Sequence, residues 1–182
     1  MMSEGRYMDG GQPGRWRLAI WGGAALLLLL PLVAMQFTPE VDWGPGDFLI
    51  FGAMLAVAAG IVDLAARLSG SLLYRAGVGL AVAGAFLLVW VNLAVGIIGN
   101  EGNPANLIYC LVLAIGGIGA VLARFRAEGM AGALIAVAVA QILAGAFAMV
   151  VWRSETILLD AIFACLWLVS AGLFRNAALQ DD

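Results

Sequence analysis

Residues 130–151 read MAGALIAVAVAQILAGAFAMVV, an apolar run interrupted by one amide, Gln141, and by no charge. A helix rises about 1.5 Å per residue and needs about 20 residues to cross a hydrocarbon core about 30 Å thick, so this run can span a bilayer. It lacks the alternation of a barrel strand. In lipid each backbone amide must find its partner inside the segment, and a single continuous run does that only as a helix. Five further runs of the same character occupy residues 18–36, 48–68, 77–99, 107–123 and 157–174. Across the whole chain 64% of residues are hydrophobic and 12% charged. A soluble domain averages about 45–50% and about 25% and could not hide this excess. The expected fold is therefore all-α, an integral membrane bundle of six transmembrane helices. Connectors are too short for an independent domain. One membrane domain over residues 17–175 is expected between a Gly-rich polar tail, 1–16, expected to be disordered, and a short tail, 176–182.

Charge distribution predicts orientation. The chain has nine basic residues, all arginine. Arg6, Arg15, Arg17, Arg67, Arg75, Arg124, Arg126 and Arg175 fall on one alternating set of connectors and ends, and only Arg153 falls on the other. Positive residues resist translocation, so the arginine-rich side is expected to be cytoplasmic, with both termini inside. Glu40, Asp42, Asp47, Glu101, Glu155 and Asp160 lie on or near the opposite, outer face. Basic residues ahead of a leucine-rich run also describe a secretory signal peptide. No small-x-small cleavage site follows residue 36, so the first helix is expected to remain.

Small residues suggest which helix is central. Gly132, Ala136, Ala140, Ala144 and Ala148 recur every four positions, and helices in lipid approach closely along such faces. Central packing of the fifth helix is expected from this stripe; a dimer face is the alternative.

Polar residues at membrane depth are costly unless paired, which makes them functional candidates. Asn92 in the third span and Gln141 in the fifth differ in depth by about 5 Å, within reach of a direct or water-bridged hydrogen bond. Such a pair is either interhelical glue or the polar lining of a path or pocket, with Trp90 as an aromatic wall beside it. Trp167 is also deep, whereas Trp21, Trp43 and Trp152 sit where an interfacial belt belongs. Asp63 lies four residues before Arg67, a spacing that places both on one helix face as an ion pair. Asp160, at the outer end of the sixth span, is within reach of Arg153 or water.

The outer connector is the most distinctive stretch: Gly96-Ile97-Ile98-Gly99-Asn100-Glu101-Gly102-Asn103-Pro104-Ala105-Asn106. Its glycines, asparagines and proline are turn formers, and Asn103 or Asn106 can cap the helix that follows. With Ala123-Arg124-Phe125 and Gly129-Met130-Ala131 downstream, this block resembles a group of small uncharacterised bacterial multi-span inner-membrane proteins over about residues 40–150. The resemblance implies a bacterial inner membrane and brings no activity with it. It directs attention to the outer face, where Asn100, Glu101, Asn103, Asn106, Asp42 and Asp47 form the candidate surface.

Several chemistries lack their residues. Without histidine there is no histidine-ligated haem or His-based acid–base catalysis. Cys110 and Cys165 differ in depth and form no CxxC pair, so both are expected to be apolar filler. No nucleotide-binding glycine fingerprint or basic nucleic-acid patch occurs. No enzyme activity, metal, cofactor or nucleic-acid partner is expected. Two functional classes remain. One is a non-catalytic partner, assembly or sensing subunit that meets the lipid bilayer and a membrane-protein partner or a second copy of itself. The other is a small-solute or cation channel or transporter with a polar site at mid-membrane.

Overall fold

The computed structural model describes residues 12–181, and among these there is no strand. The helices are α1 (Gln12–Ala34), α2 (Pro45–Leu68), α3 (Leu72–Ala94), α4 (Ile108–Leu122), α5 (Ala127–Trp152) and α6 (Ile157–Asp181), with a 3-10 turn at Pro104–Leu107 ahead of α4. Among the described residues six helical segments are long and apolar enough to cross a membrane, α4 together with its 3-10 turn. The molecule is a multi-pass, all-helical membrane protein.

Helix ends follow local chemistry. Pro45 takes the first helical position of α2, where its missing N–H costs nothing, and Asp47 Oδ2 accepts from Gly44 N at 2.8 Å. Ser71 caps α3 by accepting from Tyr74 N at 3.3 Å. The third span, expected to reach residue 99, stops at Ala94, because Gly96 turns to φ +72° and leaves the helix. At the other extreme α6 continues through the expected tail to Asp181, with Ala177 fully buried. Of the tail expected over residues 1–16, Gln12–Trp16 belong to α1, and residues 1–11, Arg6 included, lie outside the described residues.

Contacts divide the chain into two units between Leu64 and Ala65. In the first, Trp43 stacks edge-on against Phe48 and Phe51, both at 5.3 Å between ring centres. Near the far end of α2, Asp63 Oδ2 stands 3.6 Å from Arg17 Nε of α1. Arg17 is thus an ion-pair partner that spacing along α2 alone does not reveal.

The second unit holds α3 to α6, and its logic is a seven-residue repeat. Along α5 the buried positions include Ala131, Leu134, Ala138, Gln141, Gly145 and Ala148; along α6 they include Asp160, Phe163, Trp167, Ser170, Phe174 and Ala177. Steps alternating between three and four average 3.5 residues, the seam of left-handed helix packing. α5 packs against both α4 and α6, and α3 packs on α6. The two α3 glycines at the α6 seam, Gly77 and Gly84, are also seven apart. A Cβ at Gly84 would stand 2.9 Å from the Trp167 ring, and one at Gly77 would stand 3.0 Å from Phe174. Ser170 Oγ adds a hydrogen bond to Gly77 O at 2.8 Å.

The central position expected of α5 is present, but on a different face. Gly132 and Ala136 are exposed and Ala140 half-buried, whereas Ala144 and Ala148 are buried. Steps of four advance about 400° on a 3.6-residue helix, so the stripe rotates away from any one neighbour. The 3.5-residue seam does not.

At the end of this unit away from the α3–α4 connector, Tyr74 donates its hydroxyl to Phe125 O at 2.7 Å, and Arg75 Nε donates to Ser69 O at 2.7 Å. Arg124 and Phe125 both adopt left-handed backbone, φ 51° and 58°, which closes the α4–α5 connector.

Candidate functional site

Gln141 and Asp160 meet across the α5–α6 seam, both fully buried. Gln141 Nε2 donates to Asp160 Oδ1 at 2.7 Å, and Trp167 Nε1 donates to Gln141 Oε1 at 3.3 Å. The orientation of the amide follows from its neighbours. An indole N–H can only donate, so the amide oxygen must face it, and the NH2 is left for the carboxylate. From α4, Tyr109 donates its hydroxyl to Asp160 Oδ2 at 3.3 Å. Thr156, one turn before Asp160, accepts Asp160 N at 2.9 Å through its backbone carbonyl. Its hydroxyl is buried, makes no well-formed hydrogen bond, and stands close to both the carboxylate and the phenol.

Gly145 makes this arrangement possible. A Cβ there would overlap the Asp160 carboxyl group, so only glycine lets α6 set a carboxylate against the α5 backbone. Among the described residues no arginine forms an ion pair with Asp160. Arg153, expected within reach, is exposed in left-handed backbone at the end of α5, φ 56°. The expectation of water at Asp160 fails in the same way: the residue is 0% exposed. The seam carries residue 160 inward with residues 167 and 174.

No direct hydrogen bond joins Asn92 and Gln141. Asn92 Nδ2 donates to Leu88 O on its own helix at 2.9 Å, while its Oδ1 is buried without a partner. Equal depth was the basis of that expectation, but α3 packs on α6, and Gln141 is engaged by α6 residues. Trp90 is half-buried on α3.

Of the candidate outer-surface residues, Asn106 is internal. It is 8% exposed, and its Oδ1 accepts from Ile97 N at 3.1 Å and Ile98 N at 2.8 Å while Nδ2 donates to Asn100 O at 2.7 Å. Ile98 beside it is 1% exposed, so the connector is pinned inward on an apolar anchor and one amide. Asn103 caps the 3-10 turn through Ala105 N at 3.0 Å, as its position suggested. Asn100 and Glu101 are exposed. In the first unit Asp42 is exposed, and Asp47 serves as the α2 cap.

Asn106→Ala is expected to orphan two buried N–H groups, each costing about 1–3 kcal/mol. With about 2–4 °C of Tm per kcal/mol in a chain of this size, the thermal midpoint in detergent should fall by about 10 °C. An unchanged midpoint would contradict the role of Asn106 as the pin of the connector.

No family model, curated protein or solved structure matches the chain.

Sequence reasoning singled out Gln141 and missed Tyr109 and Thr156. Asp160 was seen but placed at the surface. The seven-residue spacing of Asp160, Trp167 and Phe174 was the available signal.

Proposed function

We propose that this protein is a small-cation channel or transporter of a bacterial inner membrane, with its arginine-rich end and both termini cytoplasmic and the Asp160 cluster as its site. The observation that carries this reading is a carboxylate at 0% exposure with no arginine paired to it among the described residues. Burying an ionised carboxylate costs several kcal/mol, and ionisable groups inside membrane bundles characteristically mark ion pathways. Asp160 lies in the first turn of α6, about 5 Å from its start, so a cation arriving from the acidic outer face travels a short way to reach it. Below it the Gln141 amide, the Trp167 N–H and the Ser170 hydroxyl continue along the seam. From Asp160 to Ser170 this series covers about 15 Å, half of a hydrocarbon core.

The second reading, a non-catalytic partner or assembly subunit, is favoured by α1. Its Leu26, Leu29, Leu30 and Val33 are all about half exposed or more, an apolar surface suited to lipid or to another membrane helix. Neither reading includes a catalytic step.

Reconstitution into liposomes separates them. Under an imposed cation gradient, wild-type protein is expected to carry a flux at least tenfold above that of Asp160→Asn. Wild-type flux equal to that of empty liposomes, with stoichiometric co-purification of another membrane protein, would overturn the transport reading in favour of the second.

A further inference from the structure

We propose that the Asp160 cluster binds one small monovalent cation of sodium's class, held by Asp160, Thr156 and Tyr109. The inference rests on the reading of Asp160 as the functional site and assigns its occupant.

Three observations point the same way. The first is charge: one buried carboxylate, with no arginine paired to it among the described residues, is balanced by a single positive charge. A divalent ion would leave an uncompensated charge in a low-dielectric interior, which is the costly case. The second is the donor set. The Asp160 carboxylate, the Tyr109 hydroxyl and the Thr156 hydroxyl are hard oxygen donors from α4, α6 and the residue just before α6, the kind that suits alkali and alkaline-earth ions rather than soft metals. Among the described residues no group of three or more His, Cys, Asp or Glu side chains comes together, so a transition-metal site is not the match.

The third observation is geometric. Thr156 is 6% exposed, and its Oγ1 lies close to both other oxygens without a well-formed hydrogen bond to either. A buried hydroxyl with poor hydrogen-bond geometry is costly, and a cation at this point engages its oxygen fully. The Tyr109–Asp160 hydrogen bond is long, 3.3 Å against the 2.5–3.0 Å usual for a hydroxyl-to-oxygen pair. That length also suits two oxygens drawn to one ion: ligands at about 2.4 Å from a common cation, subtending a right angle, stand about 3.4 Å apart. Gln141 holds the other carboxylate oxygen and so aims the free side of Asp160 toward Tyr109 and Thr156.

The test is equilibrium binding by the full chain, purified in detergent or nanodiscs. Thermal unfolding is followed at constant pH and ionic strength while sodium chloride replaces choline chloride, with lithium and potassium as comparison ions. Wild type is expected to show a saturable rise in midpoint with sodium, as for any ligand that binds the folded state. Thr156→Val keeps the shape and removes one ligand, and should weaken the apparent Kd for sodium at least tenfold. Asp160→Asn should abolish the response. Equal midpoints in sodium and choline, a response that follows pH alone, or sodium binding by Thr156→Val as tight as wild type's would each overturn the proposal. Sodium binding without flux would leave this site standing and remove the transport reading; flux without sodium binding would do the reverse.

Discussion

Gly145→Ala is expected to be among the most damaging single-methyl additions in the second unit, lowering stability by about 3 kcal/mol. The α5 backbone at Gly145 lies directly against the Asp160 carboxyl group, and a Cβ has no room there. Overpacking in a well-packed interior costs about 1–3 kcal/mol. The upper end applies because the nearest displaced atom, Asp160 Oδ2, accepts from Tyr109, and the carboxyl group it belongs to is held by Gln141. Gly132→Ala on the same helix is the control, since nothing lies within 4 Å of its added methyl. That change should be neutral or slightly stabilising, because alanine is the better helix former. Chemical or thermal unfolding of the two variants side by side checks the pair. Equal effects at both positions would mean that the α5–α6 seam is not where the repeat places it.

Gln141→Leu should cost about as much by a different route. Leucine fits the volume, so packing changes little, but Asp160 Oδ1 loses its 2.7 Å donor and Trp167 Nε1 its 3.3 Å acceptor. Orphaned buried groups cost about 1–3 kcal/mol each, and more when charged. A loss of about 3 kcal/mol is expected in the unfolding free energy. Gln141→Glu is expected to be no better, because it sets a second acid against Asp160. A loss under about 0.6 kcal/mol, the average for a side-chain hydrogen bond between membrane helices, would reduce Gln141 to ordinary glue.

Much of the architecture can be read from the chain, because length and hydropathy alone decide that a segment spans. Six segments follow from long apolar runs, and Asn103 follows from its place before Pro104. What hydropathy does not carry is rotation. In lipid both faces of a helix are apolar, so α5 shows no polar side to mark its exterior. Steps of four through Gly132 and Ala136 then suggest a face that is turned outward in the fold. The true seam is legible only as a 3.5-residue repeat carried by α5 and α6 together.

The site was harder for the same reason. Gln141 stands out as an amide in an apolar run, but its partners lie 19 and 26 residues away on α6. Depth made Asn92 look like its mate, and rotation about α3 sets it to bonding its own backbone instead. Asp160 reads as an ordinary acidic residue in the first turn of a helix, where acids favour the N-terminal dipole. Only the seam position, and a glycine on the facing helix, show that it is inside.

The central claim is that Asp160 and Gln141 form one buried unit. A double-mutant cycle on the unfolding free energy with Gln141→Leu, Asp160→Leu and the double variant tests it most directly. Each single change orphans the other partner, so the double variant is expected to lose less than the sum by about 2 kcal/mol. Losses that add within about 0.5 kcal/mol would contradict the claim.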